Sequence, residues 1–242
     1  MRIRHKPWAK PELEASDFFV SEPEQYKGKW QEHFSRKQPF YIELGCGKGG
    51  FVSQAAFLNR EANFLAVDIK YEMLGLARRK VSAVFEEHRT KPDNVLLTAH
   101  NIESIGLMLD ANDAAERIYI NFCNPWPRPK HRKHRLTHTR QLLKYRTFLA
   151  DGGEIHFKTD DDALFKDSLV YFKEAGYEIT WLTYDLHRSG YEHNLVTEHE
   201  KMFSDEGIKI KFLIARKIPD DNFTPPETIR STQMHSDQTD NE

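Results

Sequence analysis

The chain has 242 residues, 39% of them hydrophobic, which is enough to bury one α/β core. Its net charge of −2 gives no overall attraction to nucleic acid, and its two cysteines, Cys46 and Cys123, exclude a disulfide framework. No apolar run approaches the ~20 residues of a membrane helix, and the basic start lacks the apolar stretch of a secretory signal. We therefore expect a cytoplasmic protein that does not contact a membrane.

Strand and helix patterns alternate from residue 40 onward. The predicted strands cover residues 40–44, 63–67, 94–98, 117–122 and 154–158. The predicted helices cover residues 51–59, 71–88, 137–149 and 163–175, the third ending at Asp151-Gly152-Gly153. Two more strands, over 177–184 and 208–215, are placed to pair antiparallel at a sheet edge. This order predicts an α/β fold with a mostly parallel sheet and helices on both faces.

Three parts are predicted along the chain. Residues 1–35 are basic and aromatic but weakly periodic, which indicates an N-terminal arm. Residues 36–217 form the one folded domain, and residues 218–242 form a polar tail that we expect to be disordered.

A glycine-rich turn, Gly45 to Gly50, follows the first predicted strand. Its spacing satisfies G-x-G-x-x-G, which taken alone also suits a dinucleotide. Glu43, beside the glycines, argues against that ligand because a carboxylate repels a pyrophosphate. It suits a ligand with an ammonium and a sulfonium group, which is S-adenosylmethionine. We predict cofactor contacts at Glu43, Gly45 and Gly47.

Two polar residues follow the next strands. Asp68 can accept hydrogen bonds from both hydroxyls of a ribose, or it can cap the following helix. Asn101 is placed to meet an adenine edge, although a turn asparagine has the same pattern.

The fourth strand ends in Asn121-Phe122-Cys123-Asn124-Pro125-Trp126-Pro127. Two prolines around a tryptophan restrict the backbone and hold an aromatic plane at the carboxyl end of a strand. Such a corner can pack beside a flipped base while Asn124 hydrogen-bonds its edge. The alternative is a structural turn with Trp126 in the core.

A basic stretch follows this corner. Between residues 127 and 150 there is no acid, and the basic residues are Arg128, Lys130, Arg132, Lys133, Arg135, Arg140, Lys144 and Arg146. A local basic surface on an acidic body attracts phosphates to one place. The alternative is a solvated helix face.

These and other motifs together resemble one family, the bacterial single-chain tRNA (guanine-N7)-methyltransferases. The motifs are Met1-Arg2-x-Arg4-x-Lys6-Pro7-Trp8-Ala9, Glu43-x-Gly45-x-Gly47-Lys48-Gly49, Asn124-Pro125-Trp126-Pro127, Lys130-His131-x-Lys133-x-Arg135-Leu136, His156-Phe157-Lys158-Thr159-Asp160 and Thr197-Glu198-His199-Glu200. The resemblance covers nearly the whole chain except the polar tail. It implies a class I methyltransferase (Rossmann-like) sheet of seven strands, with the last strand antiparallel.

The resemblance also implies site residues and partners. S-adenosylmethionine would contact Glu43, Asp68, Asn101 and Asn124. The remaining implied contacts are substrate contacts at Arg128, Asp160, Thr197, Glu198, His199 and Glu200, and RNA contacts at Lys130, His131, Arg132, Lys133, His134 and Arg135. The implied substrate is a guanine of the tRNA variable loop. No metal is expected, and a monomer and a homodimer both remain open.

Asn124, the predicted catalytic residue, departs from the family, which usually has Asp there; Asp68 likewise stands where Glu is common. Guanine N7 carries no proton, so its attack on a sulfonium methyl needs no general base, and alignment can supply most of the acceleration. Asn keeps a carbonyl acceptor but lacks the charge of Asp. We therefore expect an active enzyme in which Asn124 orients the base or the cofactor.

Alternatives remain at the level of residues and of function. Asp161 or Asp162 is predicted to cap a helix, and Thr197-x-x-Glu200 is also a capping-box pattern. The rival functions are an exocyclic-amine nucleic-acid methyltransferase, a non-catalytic tRNA-binding protein with the same fold and, more remotely, a dinucleotide oxidoreductase.

Overall fold

One eight-stranded sheet organises the computed structural model, which describes residues 4–225. The strands are β1 (Phe19–Val20), β2 (Phe40–Leu44), β3 (Asn63–Asp68), β4 (Val95–Ala99), β5 (Ala115–Asn121), β6 (Leu149–Thr159), β7 (Tyr177–Thr183) and β8 (Lys211–Lys217). Their order across the sheet is β1-β4-β3-β2-β5-β6-β8-β7. Strands β1 to β6 pair parallel, and β8 pairs antiparallel with both β6 and β7. The predicted mostly parallel sheet with an antiparallel last strand is confirmed.

Residues 4–225 form six α-helices, five of which pack in two groups. They are α1 (Ala9–Glu14), α2 (Val52–Leu58), α3 (Tyr71–Glu87), α4 (Thr139–Arg146), α5 (Asp162–Glu174) and α6 (Glu198–Asp205). Helices α1 and α2 contact α3, whereas α4 contacts α5. The chain moves outward from β2 in one direction and from β5 in the other. Because βαβ crossovers are right-handed, the two directions place the two groups on opposite faces of the sheet.

The buried core fills both sides of the central strands. Ile42, Leu65, Ile118 and Ile155 lie on neighbouring strands and have 0% exposed area. After the two central strands, β2 and β5, the chain continues to opposite sides of the sheet. Such a switch point is where open α/β sheets bind ligands.

The segment before β2 packs against this sheet. Phe19 and Val20 form β1 and pair with Leu97 and Thr98 of β4, which adds an eighth, short edge strand to the seven that the resemblance implies. Trp30 has 0% exposed area, and its indole Nε1 donates to the Met108 carbonyl at 2.7 Å. Phe19, Val20 and Trp30 do not follow the spacing of a helix or a strand. The sequence pattern therefore does not predict these contacts.

The turn before β6 differs from the sequence expectation. Residues 151–153 were expected to end the helix α4, but that helix ends at Arg146 and β6 already begins at Leu149. Leu149 pairs with Ala115, and the next pair is Glu154 with Arg117, so the residues between form a bulge. The bulge accommodates the two glycines, and the strand continues beyond it.

The described residues end at position 225. Of the polar tail predicted over residues 218–242, residues 226–242 lie outside them, as do Met1 and Arg2 of the first motif.

Candidate active site

A cleft opens at the carboxyl ends of β2 and β5, at the switch point of the sheet. Its volume is about 360 Å³. It is lined by Glu43, Gly45, Cys46, Gly47, Lys48, Gly50, Phe51, Met73, Asn121, Phe122, Thr197, Glu198, His199 and Met202. The lining combines one buried carboxylate with apolar and aromatic side chains, which is the composition of a small-molecule site.

Glu43 is the buried carboxylate of the cleft, with 2% of its area exposed. The Asn121 side-chain amide donates to Oε1 at 3.1 Å. Oε2 is buried and has no hydrogen-bond partner within residues 4–225. Burial raises the pKa of Glu43 to about 8, against the opposing effects of Asn121, of Lys158 and of the nearby Val52 backbone N–H. An unpartnered acceptor in this position fits a cationic group of a ligand.

Asp68 holds the glycine turn from behind. Its Oδ2 accepts a hydrogen bond from the Gly47 backbone N–H at 2.9 Å, and its Oδ1 accepts one from the Lys70 N–H at 3.0 Å. Helix α3 begins at Tyr71 with Lys70 as the N-cap residue and without a side-chain cap. Asp68 is therefore not the cap of α3, and its carboxylate instead orders the turn that faces the cleft.

Gly49 allows α3 to approach this turn. Its φ is +72°, and a Cβ at this position would lie 2.7 Å from the Ala77 Cβ. Both the backbone angle and the close contact exclude a larger residue. The turn is consequently packed directly onto α3.

Helix α6 covers the cleft from the other side. Thr197 is its N-cap, and the Thr197 Oγ1 accepts a hydrogen bond from the Glu200 N–H at 3.1 Å, so the predicted capping role is confirmed. Glu198 forms an ion pair with Lys80 of α3 at 2.7 Å. The ring of His199 lies 5.0 Å from the ring of Phe122. These contacts join the start of α6 to both walls of the cleft.

Glu200 lies beneath this helix with 0% exposed area. Its Oε2 accepts a hydrogen bond from Lys158 Nζ at 2.8 Å. Its Oε1 accepts one from the Asn194 amide at 2.6 Å and lies 2.9 Å from His187 Nε2. Burial lowers the pKa of Lys158, and Glu200 opposes that shift. Glu200 thus fixes α6 and the preceding loop to β6.

The Pro-Trp-Pro corner is ordered by Asn124. The Asn124 Oδ1 accepts a hydrogen bond from the Trp126 N–H at 3.0 Å. Trp126 has a φ of 42°, which costs backbone strain in a residue other than glycine. Its ring is half-buried, with the rings of His131 and His134 at 5.7 and 5.5 Å. The tryptophan is therefore held at the surface beside two histidines and does not lie in the core.

Arg135 differs from the other predicted RNA-binding residues. Only 1% of its area is exposed. Its Nε donates to the Pro125 carbonyl at 2.7 Å, and one of its terminal nitrogens donates to Asp167 of α5 at 2.6 Å. Its guanidinium braces the corner from inside the protein.

The other residues of that set lie in or next to the short 3-10 helix Pro129–His134. Lys130 and Lys133 are exposed, and Arg132 pairs with Asp167 at 3.4 Å. His134 Nδ1 lies 2.6 Å from a Glu103 carboxylate oxygen.

Several predicted site residues lie outside the lining of the cleft, and the predicted catalytic residue Asn124 is one of them. Asn101 is exposed, and its side chain accepts a hydrogen bond from the Glu103 N–H at 3.0 Å. Asp160 follows β6, and its backbone carbonyl accepts a hydrogen bond from Lys211 at 2.9 Å. Arg128 is exposed beyond the corner. The predicted capping of α5 is confirmed at Asp161, which accepts a hydrogen bond from the Leu164 N–H at 2.6 Å.

The cleft therefore combines predicted and unexpected residues. Of the predicted set it brings together Glu43, Gly45, Gly47, Thr197, Glu198 and His199, while Asp68 lies behind the turn. The sequence analysis missed the apolar lining, Phe51, Met73, Phe122 and Met202, and the polar supports Asn121, Lys158 and Asn194. Asn121 gave a signal, because it ends the strand next to that of Glu43.

Residues 4–225 contain no cluster of three side chains suited to a metal ion, and Cys46 and Cys123 are both free. Within the same residues, no helix is long and apolar enough to span a membrane.

The sequence is similar to a known protein family and to several named relatives. A family model described as "Putative methyltransferase" matches residues 37–213. A tRNA (guanine-N(7)-)-methyltransferase of Clostridium perfringens (strain 13 / Type A) is 60% identical over 219 residues, covering 90% of this chain and 100% of the relative. Proteins with the same name from Ruminiclostridium cellulolyticum and Clostridium acetobutylicum are 56% and 49% identical, each over 89% of this chain and over 92% and 99% of their own lengths.

Solved structures share the fold at lower identity. An antibiotic-related methyltransferase superposes with a TM-score of 0.55 and 16% identity, covering 75% of this chain and 88% of that chain. The 16S rRNA methyltransferase KamB superposes with a TM-score of 0.54 and 13% identity, covering 75% of this chain and 89% of that chain. At such identities the likeness shows the fold alone, and that fold is the class I methyltransferase sheet predicted from the sequence.

Proposed function

Since the chain belongs to the tRNA (guanine-N(7)-)-methyltransferase family, we propose that it transfers a methyl group from S-adenosylmethionine to N7 of a guanine in tRNA. The guanine would lie in the variable loop, as the sequence resemblance implies. A tRNA substrate also implies that the enzyme works in the cytoplasm.

The observation that carries the donor assignment is the buried, unpartnered Oε2 of Glu43. When bound, S-adenosylmethionine supplies an electrophilic methyl group on a sulfonium, together with an ammonium group. A carboxylate whose second oxygen lacks a protein partner offers a favourable contact to that positive charge in a water-poor cleft. Gly45 and Gly47 let the ligand approach the backbone, and Asp68 and Asn101 are assigned to the ribose and the adenine.

The protein has to align the acceptor with the methyl group. Guanine N7 has an in-plane lone pair and no proton to lose, so no side chain needs to remove one. Correct alignment alone can lower the barrier by ~7–11 kcal/mol. We assign this task to the Pro-Trp-Pro corner, with Asn124 as the catalytic residue that touches the base or the donor.

Asn124 can carry this role because of its hydrogen bond. Its Oδ1 is occupied by the Trp126 N–H. Its exposed side-chain NH₂ is then free to donate to an acceptor of the ligand. An Asp would form the same turn and add a negative charge near the ring that becomes positive.

The residues assigned to the substrate differ in their position relative to the cleft. Arg128 lies beyond the corner, Asp160 follows β6, and Thr197 to Glu200 form the start of α6. We assign Thr197, Glu198 and His199 to direct contact, because they line the cleft. Glu200, which is buried, acts through Lys158 as a positioning residue.

Incubation of unmodified tRNA with labelled donor and purified protein tests this proposal. Aniline cleavage of the product locates N7-methylated guanine by position. We expect cleavage at one guanine in the variable loop, and several-fold less label with Glu43→Gln at a donor concentration near the wild-type KM. A label on an exocyclic amine would favour the amine methyltransferase, and tRNA binding without any label would favour a non-catalytic binding protein.

A further inference from the structure

The structure divides the eight basic residues of the stretch 127–150 into two groups. Arg132 and Arg135 pair with Asp167, and Arg146 pairs with Asp220. Each of these three cations has a carboxylate partner, with Asp167 shared between Arg132 and Arg135. The other five form no ion pair with a carboxylate of residues 4–225, and they are Arg128, Lys130, Lys133, Arg140 and Lys144.

Three of these five converge on one depression, which we call the basic pocket. It has a volume of about 230 Å³ and is lined by Glu103, Lys133, His134, Arg140, Gln141 and Lys144. Its single acid, Glu103, has a carboxylate oxygen 2.6 Å from His134 Nδ1. The pocket is therefore positive, and its one carboxylate is already engaged.

Helix α4 is fixed in place on one side of the basic pocket. The Gln141 side-chain amide, 5% exposed, donates to the Ile102 carbonyl at 2.5 Å. One turn later, Lys144 donates to the Glu103 carbonyl. Burial and the charge of Arg140 both lower the pKa of Lys144, and Glu103 opposes this shift. Arg140 and Lys144 line the same pocket, so their charges repel each other, and an anion between them would relieve this repulsion.

The basic pocket lies next to the Pro-Trp-Pro corner. His134 belongs to its lining and also has its ring 5.5 Å from the ring of Trp126. Glu103 follows β4 and Trp126 follows β5, and these strands are parallel within one sheet. The pocket and the corner therefore lie at the same ends of the strands, the carboxyl ends, with His134 between them.

We propose that the basic pocket binds a backbone phosphate of the same tRNA whose guanine reaches the cleft, an inference that rests on the proposed function. A phosphodiester has two anionic oxygens that guanidinium and ammonium groups bind well. Phosphate contacts fix position and register without reading sequence. The pocket would hold the RNA strand beside Trp126, and the acidic body of the protein would repel the strand elsewhere.

A solvated basic face is the competing explanation. Solvated cations on a helix spread apart, because like charges repel and water solvates each one separately. Here Arg140 and Lys144 of α4 line one concavity together with Lys133 of another segment. Three unpaired cations around a depression are better explained by an anionic partner.

The test is the salt dependence of tRNA binding by the full-length double variant Lys133→Ala/Arg140→Ala. Lys144 is left in place because it anchors Glu103. The matched control is Lys37→Ala/Lys91→Ala. Both of these exposed lysines precede parallel strands, so they lie at the amino ends of the strands, away from the pocket. Thermal stabilisation by S-adenosylhomocysteine reports whether each variant keeps its fold and its donor cleft.

We expect the pocket variant to bind tRNA about 10- to 50-fold more weakly at ~0.1 M salt. The slope of log K against log salt should fall in magnitude by about 1.4 to 1.8, while the control changes neither quantity. Wild-type affinity and slope in the pocket variant would overturn the proposal, and so would weaker binding with an unchanged slope. If the proposed function itself fails, the wild-type protein transfers no methyl group to tRNA. That result comes from the wild-type protein alone, so it is distinct from the binding result of the pocket variant.

Discussion

Lys158 and Glu200 form a buried ion pair that joins the central sheet to the roof of the cleft. Lys158 Nζ lies 2.8 Å from Glu200 Oε2, and the two side chains are 5% and 0% exposed. Lys158 belongs to β6 and Glu200 to α6, the helix whose first residues line the cleft. The position of α6 over the cleft therefore depends on a charge pair shielded from water.

Removing one partner should destabilise the protein strongly. We expect Lys158→Met to lower the free energy of unfolding by about 3–5 kcal/mol, because the Glu200 carboxylate would remain buried without its cation. The donor KM should rise as well, since the roof loosens. Urea titration measures the first effect and methyl transfer the second.

The control for this variant is an ion pair on the surface. Lys10 and Glu14 are 61% and 50% exposed and lie 3.6 Å apart, so Lys10→Met should cost no more than ~1 kcal/mol. Equal losses in the two variants would refute a special role for the buried pair.

The raised pKa of Glu43 predicts a specific pH dependence. Its folded pKa is about 8, above the ordinary value of 4.5. Between these values the folded protein without ligand keeps a proton that the unfolded chain releases, so this residue makes stability fall as pH rises. Relative to Glu43→Gln, the wild-type protein should lose up to about 1.4 kcal/mol per pH unit in that window and nothing further above it.

Urea unfolding of both proteins at a series of pH values measures the difference. Saturating S-adenosylhomocysteine should flatten it, because an ammonium beside the carboxylate favours the ionised form. Parallel stability curves for the two proteins would show that Glu43 titrates normally.

Asn124 gives a prediction with opposite outcomes for two substitutions. Asn124→Asp keeps the acceptor for the Trp126 N–H and adds a charge that favours the cationic ring, so single-turnover methyl transfer should be at least as fast as in the wild type. Asn124→Ala loses the acceptor and should be slower by about 10-fold or more. A full rate in the alanine variant would dismiss the assigned role.

Gly49 and Gly152 provide a matched pair of glycine substitutions. Both have positive φ, +72° and +74°, but only Gly49 has a neighbour, Ala77, within 4 Å of a new Cβ. Gly152→Ala should cost about 1–2 kcal/mol from the backbone alone. Gly49→Ala should cost about 1–3 kcal/mol more from overpacking, and it should weaken donor binding. Equal unfolding free energies would contradict the packing of α3 against the turn.

The order of elements and the location of the cleft could be predicted from the sequence. Apolar runs with the strand and helix periods place β2 to β8, and the strand-end rule places Glu43 beside the glycine turn. These features depend on local patterns and on general rules of α/β connection.

The supporting contacts could not be predicted in the same way. Lys158 meets Glu200 across 42 residues of chain, and the partner depends on how the intervening loop returns to the sheet. Arg135 and Lys133 look alike in sequence, yet the position of Asp167 on α5 draws Arg135 inward. The packing of Trp30 likewise depends on a distant carbonyl, that of Met108.

Calorimetric titration of S-adenosylmethionine into the wild-type protein and Glu43→Gln tests the central claim most directly. The exchange of carboxylate for amide keeps the size of the side chain and the contact with Asn121 within reach, but removes the charge. We predict a dissociation constant at least ~10-fold higher for Glu43→Gln, because a hydrogen bond to a charged group contributes about 1.5–3 kcal/mol. Equal dissociation constants in the two proteins would contradict the account.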